Sequence, residues 1–219
     1  MQEYIWLTGM VLKQMPVGEY DRRICILTRE RGKISAFARG ARKQGSRLAA
    51  CSSPFSFGLF KLYEGRDSYT VSEAEIQNYF EALRVDYLGA CYGMYFAEVA
   101  DYYTRENNDE SPMLKLMYQS LRALSAPSLP DRLVKCIFEI KAILINGEYP
   151  GVPGSGTEKP YLPDTIYTMN YIASSSIEKL YTFNVSKPVL EQLEEIAGRL
   201  REQFCEGRFK SLEILKSLS

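Results

Sequence analysis

The sequence predicts an α+β chain in two parts: an N-terminal OB-fold-like β-barrel over residues 1–80, then an all-α helical domain over residues 81–219 carrying an irregular insert. Three observations lead there. Up to about residue 80, side chains alternate with a period of two between turn-forming clusters. After Glu81 the apolar spacing becomes helical. Cations crowd the first part and are diluted in the second. With 219 residues and 46% hydrophobic content, the chain can bury a sizeable core.

The elements follow in order. Trp6 to Lys13 carries strand formers, and Trp6 reads as barrel packing. In Arg22 to Thr28, residues Arg22, Ile24, Ile26 and Thr28 share one face, and Arg23, Cys25 and Leu27 the other. Arg29-Glu30-Arg31-Gly32 makes a turn, with Gly32 free to take a positive φ. Lys33 to Arg39 resumes the strand, and Pro54–Tyr63 and Ser68–Tyr79 form another pair. Five short strands fit a small closed barrel, the OB arrangement first and an SH3-like barrel as its rival. Tyr87, Leu88, Cys91, Tyr92, Tyr95, Phe96, Val99 and Tyr103 then trace a buried helix face. Ser111-Pro112 reads as an N-cap and first-turn proline ahead of the stripe Met113, Leu114, Met117, Leu121 and Leu124. Pro127 and Pro130 punctuate. A helix over about Asp131–Asn146 ends at Gly147. The run Tyr149 to Gly156 breaks regular structure and opens an insert over about 148–183, which Tyr161, Leu162, Ile166, Tyr167 and Tyr171 should pack in place. Ser186 caps an amphipathic helix that ends at Gly207, with Glu191, Glu194, Glu195 and Glu202 on its solvated face. A last helix carries Leu212, Leu215 and Leu218.

Composition excludes much chemistry. There is no histidine, which removes Ser-His-Asp and Cys-His nucleophile systems and His-ligated metals. Five scattered cysteines, an odd number, read as reduced buried thiols. The N-terminus lacks a signal-peptide pattern, and no run approaches the roughly 20 apolar residues of a membrane span. No catalytic constellation emerges, so the chain reads as a cytoplasmic binding protein, not an enzyme.

Charge points to the partner. Between Arg22 and Arg47 stand nine basic residues, Arg22, Arg23, Arg29, Arg31, Lys33, Arg39, Arg42, Lys43 and Arg47, against Glu30 alone, an excess of +8 in a chain of zero net charge. Self-repulsion of such a cluster costs stability unless a partner neutralises it. Lys33, Ser35, Phe37 and Arg39 share a strand face, opposite small residues suited to a barrel interior. A basic face with one aromatic suits single-stranded nucleic acid: cations follow phosphates and the ring stacks on a base. The bland alternative places Phe37 in the core of a solvated basic surface. Residues Gly40 to Arg47 read as a flexible basic loop that can approach phosphates closely. If six of these cations touch phosphate, log K falls with log salt at a slope of roughly −4 to −5.

At this point the letters become specific. Thr8-Gly9-Met10-Val11-Leu12, Gly18-Glu19-Tyr20-Asp21-Arg22, Leu27 to Lys33, Ala38-Arg39-Gly40-Ala41-Arg42, Ser46-Arg47-Leu48 and Pro54-Phe55 resemble the N-terminus of the RecO family of DNA repair proteins. Leu180 to Ser186 and Phe209 to Leu215 resemble the family's closing motifs. The resemblance implies an OB-fold followed by a helical domain. It implies a recombination mediator that binds single- and double-stranded DNA and anneals complementary strands. RecR, the C-terminal tail of the single-strand-binding protein (SSB) and, indirectly, RecA are the implied partners, in the bacterial nucleoid. The chain departs from the family where many members carry a four-cysteine zinc module: residues 148–183 contain no cysteine and no histidine. Carboxylates alone are poor substitutes in a structural site, so no zinc or other cofactor is expected.

An SSB-tail pocket needs apolar walls and a cation for the terminal carboxylate. The helix from Asp131 offers Arg132, Lys135 and Lys141 beside Ile137 and Phe138. Two other readings stay open: a general OB-fold binder of single-stranded DNA or RNA, and a protein–protein scaffold whose basic barrel takes an acidic tail.

Overall fold

The computed structural model describes residues 4–66, 68–126, 128–151 and 160–218. Strands β1 (Tyr4–Val17), β2 (Asp21–Thr28), β3 (Gly32–Ala38), β4 (Phe57–Glu64) and β5 (Tyr69–Asn78) close into a barrel in the order β1-β2-β3-β5-β4. β3 and β5 run parallel, and the other neighbours are antiparallel. This is the OB-type order. β1 closes the barrel by serving both neighbours: Tyr4 to Met10 pair with β4, and Gly9 to Val17 pair with β2 across an irregularity at Val11/Lys13. The short helix α1 (Leu48–Cys51) lies between β3 and β4.

The barrel interior is filled by Leu7, Ile24, Ile26, Ile34, Phe60 and Leu62, with Ala36 and Ala38 admitting close approach. Trp6 is outside this core, 43% exposed, with the Lys61 ammonium 5.5 Å from its ring. Its neighbours Ile5 and Leu7 face the barrel core, so alternation along β1 turns the indole outward and corrects the packing role expected for it.

The helical part comprises α2 (Ala82–Val85), α3 (Tyr87–Tyr103), α4 (Ser111–Leu124), α5 (Asp131–Ile145), α6 (Pro163–Ser174), α7 (Lys187–Phe204) and α8 (Lys210–Leu218), with a 3-10 turn at Ile177–Lys179. α5 runs through its middle against α3, α4, α6 and α7. Phe96 and Phe138 stack with ring centroids 4.2 Å apart. The N-cap position of α4 is Glu110 rather than Ser111, one residue earlier than the Ser-Pro signal indicates, and the Glu110 side chain makes no capping bond there but accepts from Arg105 N–H at 2.9 Å. α5 ends as its sequence requires, with Gly147 at φ +76°.

Between 148 and 183 the described residues are more regular than expected, because α6 lies there. Its buried residues are Thr165, Thr168, Met169 and Ile172. Leu162, Ile166 and Tyr167 are exposed, so they do not pack the segment in place. Tyr161 and Tyr171 are half-buried, and Tyr171 meets Phe183 edge-on at 5.1 Å. The Lys141 ammonium donates to the carbonyls of Ile172, Ala173 and Ser175 at 3.0, 3.1 and 2.8 Å, satisfying acceptors that the end of α6 leaves open. Positions 152–156 of the Pro/Gly run, and Pro127, lie outside the described residues.

Barrel and helices share a core. Met10, Leu12, Leu27 and Phe55 of the barrel side are buried in the same cluster as Phe96, Met113 and Phe138. The β2–β3 turn docks on the segment after α3: Lys33 N–H donates to Arg105 O (3.0 Å) and Asn107 N–H to Arg31 O (2.9 Å). Gly32 permits this docking, with φ +64° and space so tight that a Cβ would lie 2.3 Å from Arg105 O.

Candidate nucleic-acid interface

β1, β2 and β3 present one outward face. Its rows are set by register: Met15, Arg23 and Phe37 lie side by side, then Lys13, Cys25 and Ser35. Period-two alternation sends Ile34, Ala36 and Ala38 inward and leaves Phe37 half-buried on the outer face, not in the barrel core. The Arg23 guanidinium lies 6.0 Å from the Phe37 ring and donates through Nε to Ser35 Oγ at 2.7 Å. Met15 is exposed beside them, and Arg39 follows the end of β3, also exposed.

The segment after Arg39 forms a rim and is tied down rather than loose. Gly40 N–H donates to Asp21 Oδ1 (2.7 Å) and Arg42 N–H to Tyr20 O (2.8 Å). The Arg42 guanidinium donates to Gly18 O (3.0 Å), and the Lys43 ammonium sits 5.3 Å from the Tyr20 ring. Tyr20 is 46% exposed, a second aromatic beside cations.

The structure therefore brings together Arg23, Phe37, Arg39, Arg42 and Lys43, with Arg47 exposed just before α1. The other expected residues sit elsewhere. Arg22 turns to the opposite side and donates to Ala49 O (2.7 Å) and Ser52 Oγ (2.9 Å), holding α1. Arg29 and Arg31 lie at the far end of the hairpin, about 20 Å away along the strands. Arg29 faces Glu30 at 3.7 Å. Lys33 lies at the foot of the face, paired with Asp101. Lys13, Met15 and Tyr20 were missed by sequence reasoning. Met15 continues the outward period of β1 beyond the predicted end at Lys13, and Tyr20 is an aromatic in a turn.

Ion pairs are absent, among the described residues, from the upper part of this face, as they are from Arg84, Arg105 and Arg122 of the helical part. Among the described residues, Arg23, Arg39, Arg42, Lys43 and Arg47 have no carboxylate within ion-pair distance. In the helical part, Arg132, Lys135, Arg199 and Arg201 each lie against a glutamate.

A groove of about 730 Å³ lies between α3, α5, α7 and α8, with Leu88, Tyr92, Leu212 and Leu218 beside Arg132 and Lys135. Arg132 is bonded to Glu194, and Lys135 reaches Glu139 at 3.1 Å. The other tail-binding residues expected on α5 are not on this surface. Ile137 and Phe138 are fully buried, because α5 is covered on nearly all sides. Lys141 is spent on the end of α6.

Nucleophilic chemistry finds little support. Burial pushes the Cys25 thiol up to about 12 and also raises those of Cys51, Cys136 and Cys205. Among the described residues no group of three or more Cys, Asp or Glu side chains could hold a metal ion. No helix among them is long and apolar enough to cross a membrane.

Comparison with known proteins agrees with this architecture. Residues 1–80 match the family model "Recombination protein O N terminal", and residues 84–152 match "Recombination protein O C terminal". The DNA repair protein RecO of Acetivibrio thermocellus is 27% identical over 244 residues, covering 98% of this chain and 97% of that protein. The DNA repair protein RecO of Bacillus pumilus is 34% identical over 142 residues, 65% of this chain and 55% of that protein. That of Bacillus subtilis is 33% identical with the same coverage.

Proposed function

The chain belongs to the RecO family of DNA repair proteins, and from that premise we propose that it is a recombination mediator that works by holding DNA, not by turnover. The observation that carries this reading is the face where Arg23, Arg39, Arg42 and Lys43 stand without carboxylate partners around Phe37 and Tyr20. Backbone phosphates lie on the cations, and bases stack on the rings. Neither contact depends on base identity; stacking takes unpaired bases, and the phosphate contacts alone serve a duplex. Annealing follows physically: neutralising two strands lowers their mutual repulsion while the stacked bases remain open to pairing. No zinc step enters, since residues 148–183 supply neither cysteine nor histidine.

The groove beside α5 supplies the adaptor half of the reading. An apolar peptide ending in a carboxylate, as in the SSB tail, lays its side chains on Leu88 and Leu212 and its carboxylate on Arg132 or Lys135. Arg132 exchanges its Glu194 contact for the new one. RecR binding and delivery of RecA to SSB-coated DNA complete the proposal, which places the chain at the bacterial nucleoid.

Annealing of SSB-coated complementary strands tests it. Replacing Arg39, Arg42, Lys43 and Arg47 by Ala should slow annealing at least tenfold and flatten the salt slope of binding by about 3 for single strands. An unchanged rate and slope would remove this face from DNA binding. Preference for RNA at fixed salt would instead favour a general single-strand binder.

A further inference from the structure

At the foot of the β1–β2–β3 face, a cleft of about 460 Å³ opens between the sheet and the C-terminal end of α3. Its walls carry four cations, Lys13, Arg23, Lys33 and Arg105, against two carboxylates, Asp101 and Glu106. The Asp101 carboxylate bridges two of the cations. Its Oδ2 lies 2.6 Å from the Lys13 ammonium and its Oδ1 3.0 Å from that of Lys33. We propose that this cleft is a phosphate subsite for single-stranded nucleic acid, and that Asp101 is an internal anion that occupies it until a backbone phosphate takes its place. The inference rests on the DNA-binding reading above and extends it to two residues, Lys13 and Asp101, outside the basic block, while the Arg105 guanidinium donates to the carbonyls of Tyr102 and Thr104 at the end of α3.

Three observations carry it. First, each Asp101 oxygen takes a different ammonium, the arrangement in which two non-bridging phosphate oxygens would sit. Second, the junction does not need this carboxylate as its fastener: backbone bonds from Lys33 to Arg105 and from Asn107 to Arg31, and a common apolar core, already join the two parts. Third, the cleft continues the interface. Lys13 stands in the row next to Met15, Arg23 and Phe37, about 7 Å further along the sheet. The Lys13 side chain is 48% exposed and can turn from Asp101 to an incoming phosphate. Lys33 also donates to the Asp101 backbone carbonyl, which keeps it at the cleft mouth when the carboxylate is displaced.

The test is oligothymidylate affinity, measured against salt, for the native chain and Asp101→Asn. Removing the competing charge should tighten binding about tenfold at low salt. Adding Lys13→Gln and Lys33→Gln to Asp101→Asn should abolish that gain and reduce the slope by about 1.4, for two phosphates on a single strand. If Asp101 is only a fastener, Asp101→Asn leaves affinity unchanged or weakens it, and the lysine changes leave the slope alone. Either result overturns the proposal. Should Asp101→Asn fail to fold, Lys13→Gln alone decides: the native slope must shrink by about 0.7. The Arg39/Arg42/Lys43/Arg47 variant separates the two readings. If it weakens binding while the cleft variants do nothing, the cleft fails and the interface stands. If the native chain shows no salt-dependent binding, both fall.

Discussion

Arg22 lies opposite Ala38 in the β2–β3 ladder, one position from Arg39, and the two arginines do different work. Arg39 is exposed and makes no ion pair among the described residues, whereas the half-buried Arg22 spends its guanidinium on Ala49 O and Ser52 Oγ. Arg22→Ala should lower stability in urea by about 1–2 kcal/mol, by losing two hydrogen bonds to α1, and leave the salt slope of DNA binding intact. Arg39→Ala should do the reverse: stability within about 0.5 kcal/mol of native, and a slope smaller by about 0.7. Equal effects in both assays would contradict this division. The distinction was legible in part, since Arg22 shares its alternation with Ile24 and Ile26, which point inward. A count of cations in a window is blind to that phase. Trp6 shows the same principle in reverse: aromatic character favours burial, but its neighbours had already taken the inward positions.

At the scale of elements, β3 was the most legible, because small inward side chains alternate with polar or aromatic outward ones and a glycine turn precedes them. That glycine serves two purposes, turning the hairpin and admitting Arg105 O. Gly32→Ala should therefore destabilise by at least about 2 kcal/mol, combining a strained φ with a backbone clash. Thermal melting checks this, and a melting temperature within a degree or two of native would show that the turn relaxes freely. α6 was the least legible. Its buried stripe mixes Thr165 and Thr168 with Met169 and Ile172, while Ile166 and Tyr167 face out, so hydrophobicity marks the wrong side. α5 misled in another way. A helix covered on nearly all sides carries apolar residues all round, and nothing in Ile137 or Phe138 says which side meets solvent. The groove needed Leu88, Tyr92 and Leu212 from other helices, which no local pattern could bring to α5.

For the whole molecule, the Asp101 ion pairs should add one pH-dependent increment to a stability that the shared core and the backbone bonds of the junction already carry. Burial opposes ionisation of Asp101, but hydrogen bonds from Lys13 and Lys33 and their charge prevail and hold its carboxyl below the usual range. Its contribution is present above its unfolded value near pH 4 and is lost as pH falls through the lower folded value. Melting temperatures below about pH 4 should fall more steeply for the native chain than for Asp101→Asn. Parallel profiles would assign acid sensitivity to other groups. The shared core has a consequence for descent. Met10, Leu12, Leu27 and Phe55 lend the barrel's apolar flank to the helices. A gene fusion that carried off the barrel alone would inherit a bare oily flank prone to aggregation. The two halves are therefore expected to travel together when genes are rearranged, because neither leaves its share of the common core covered.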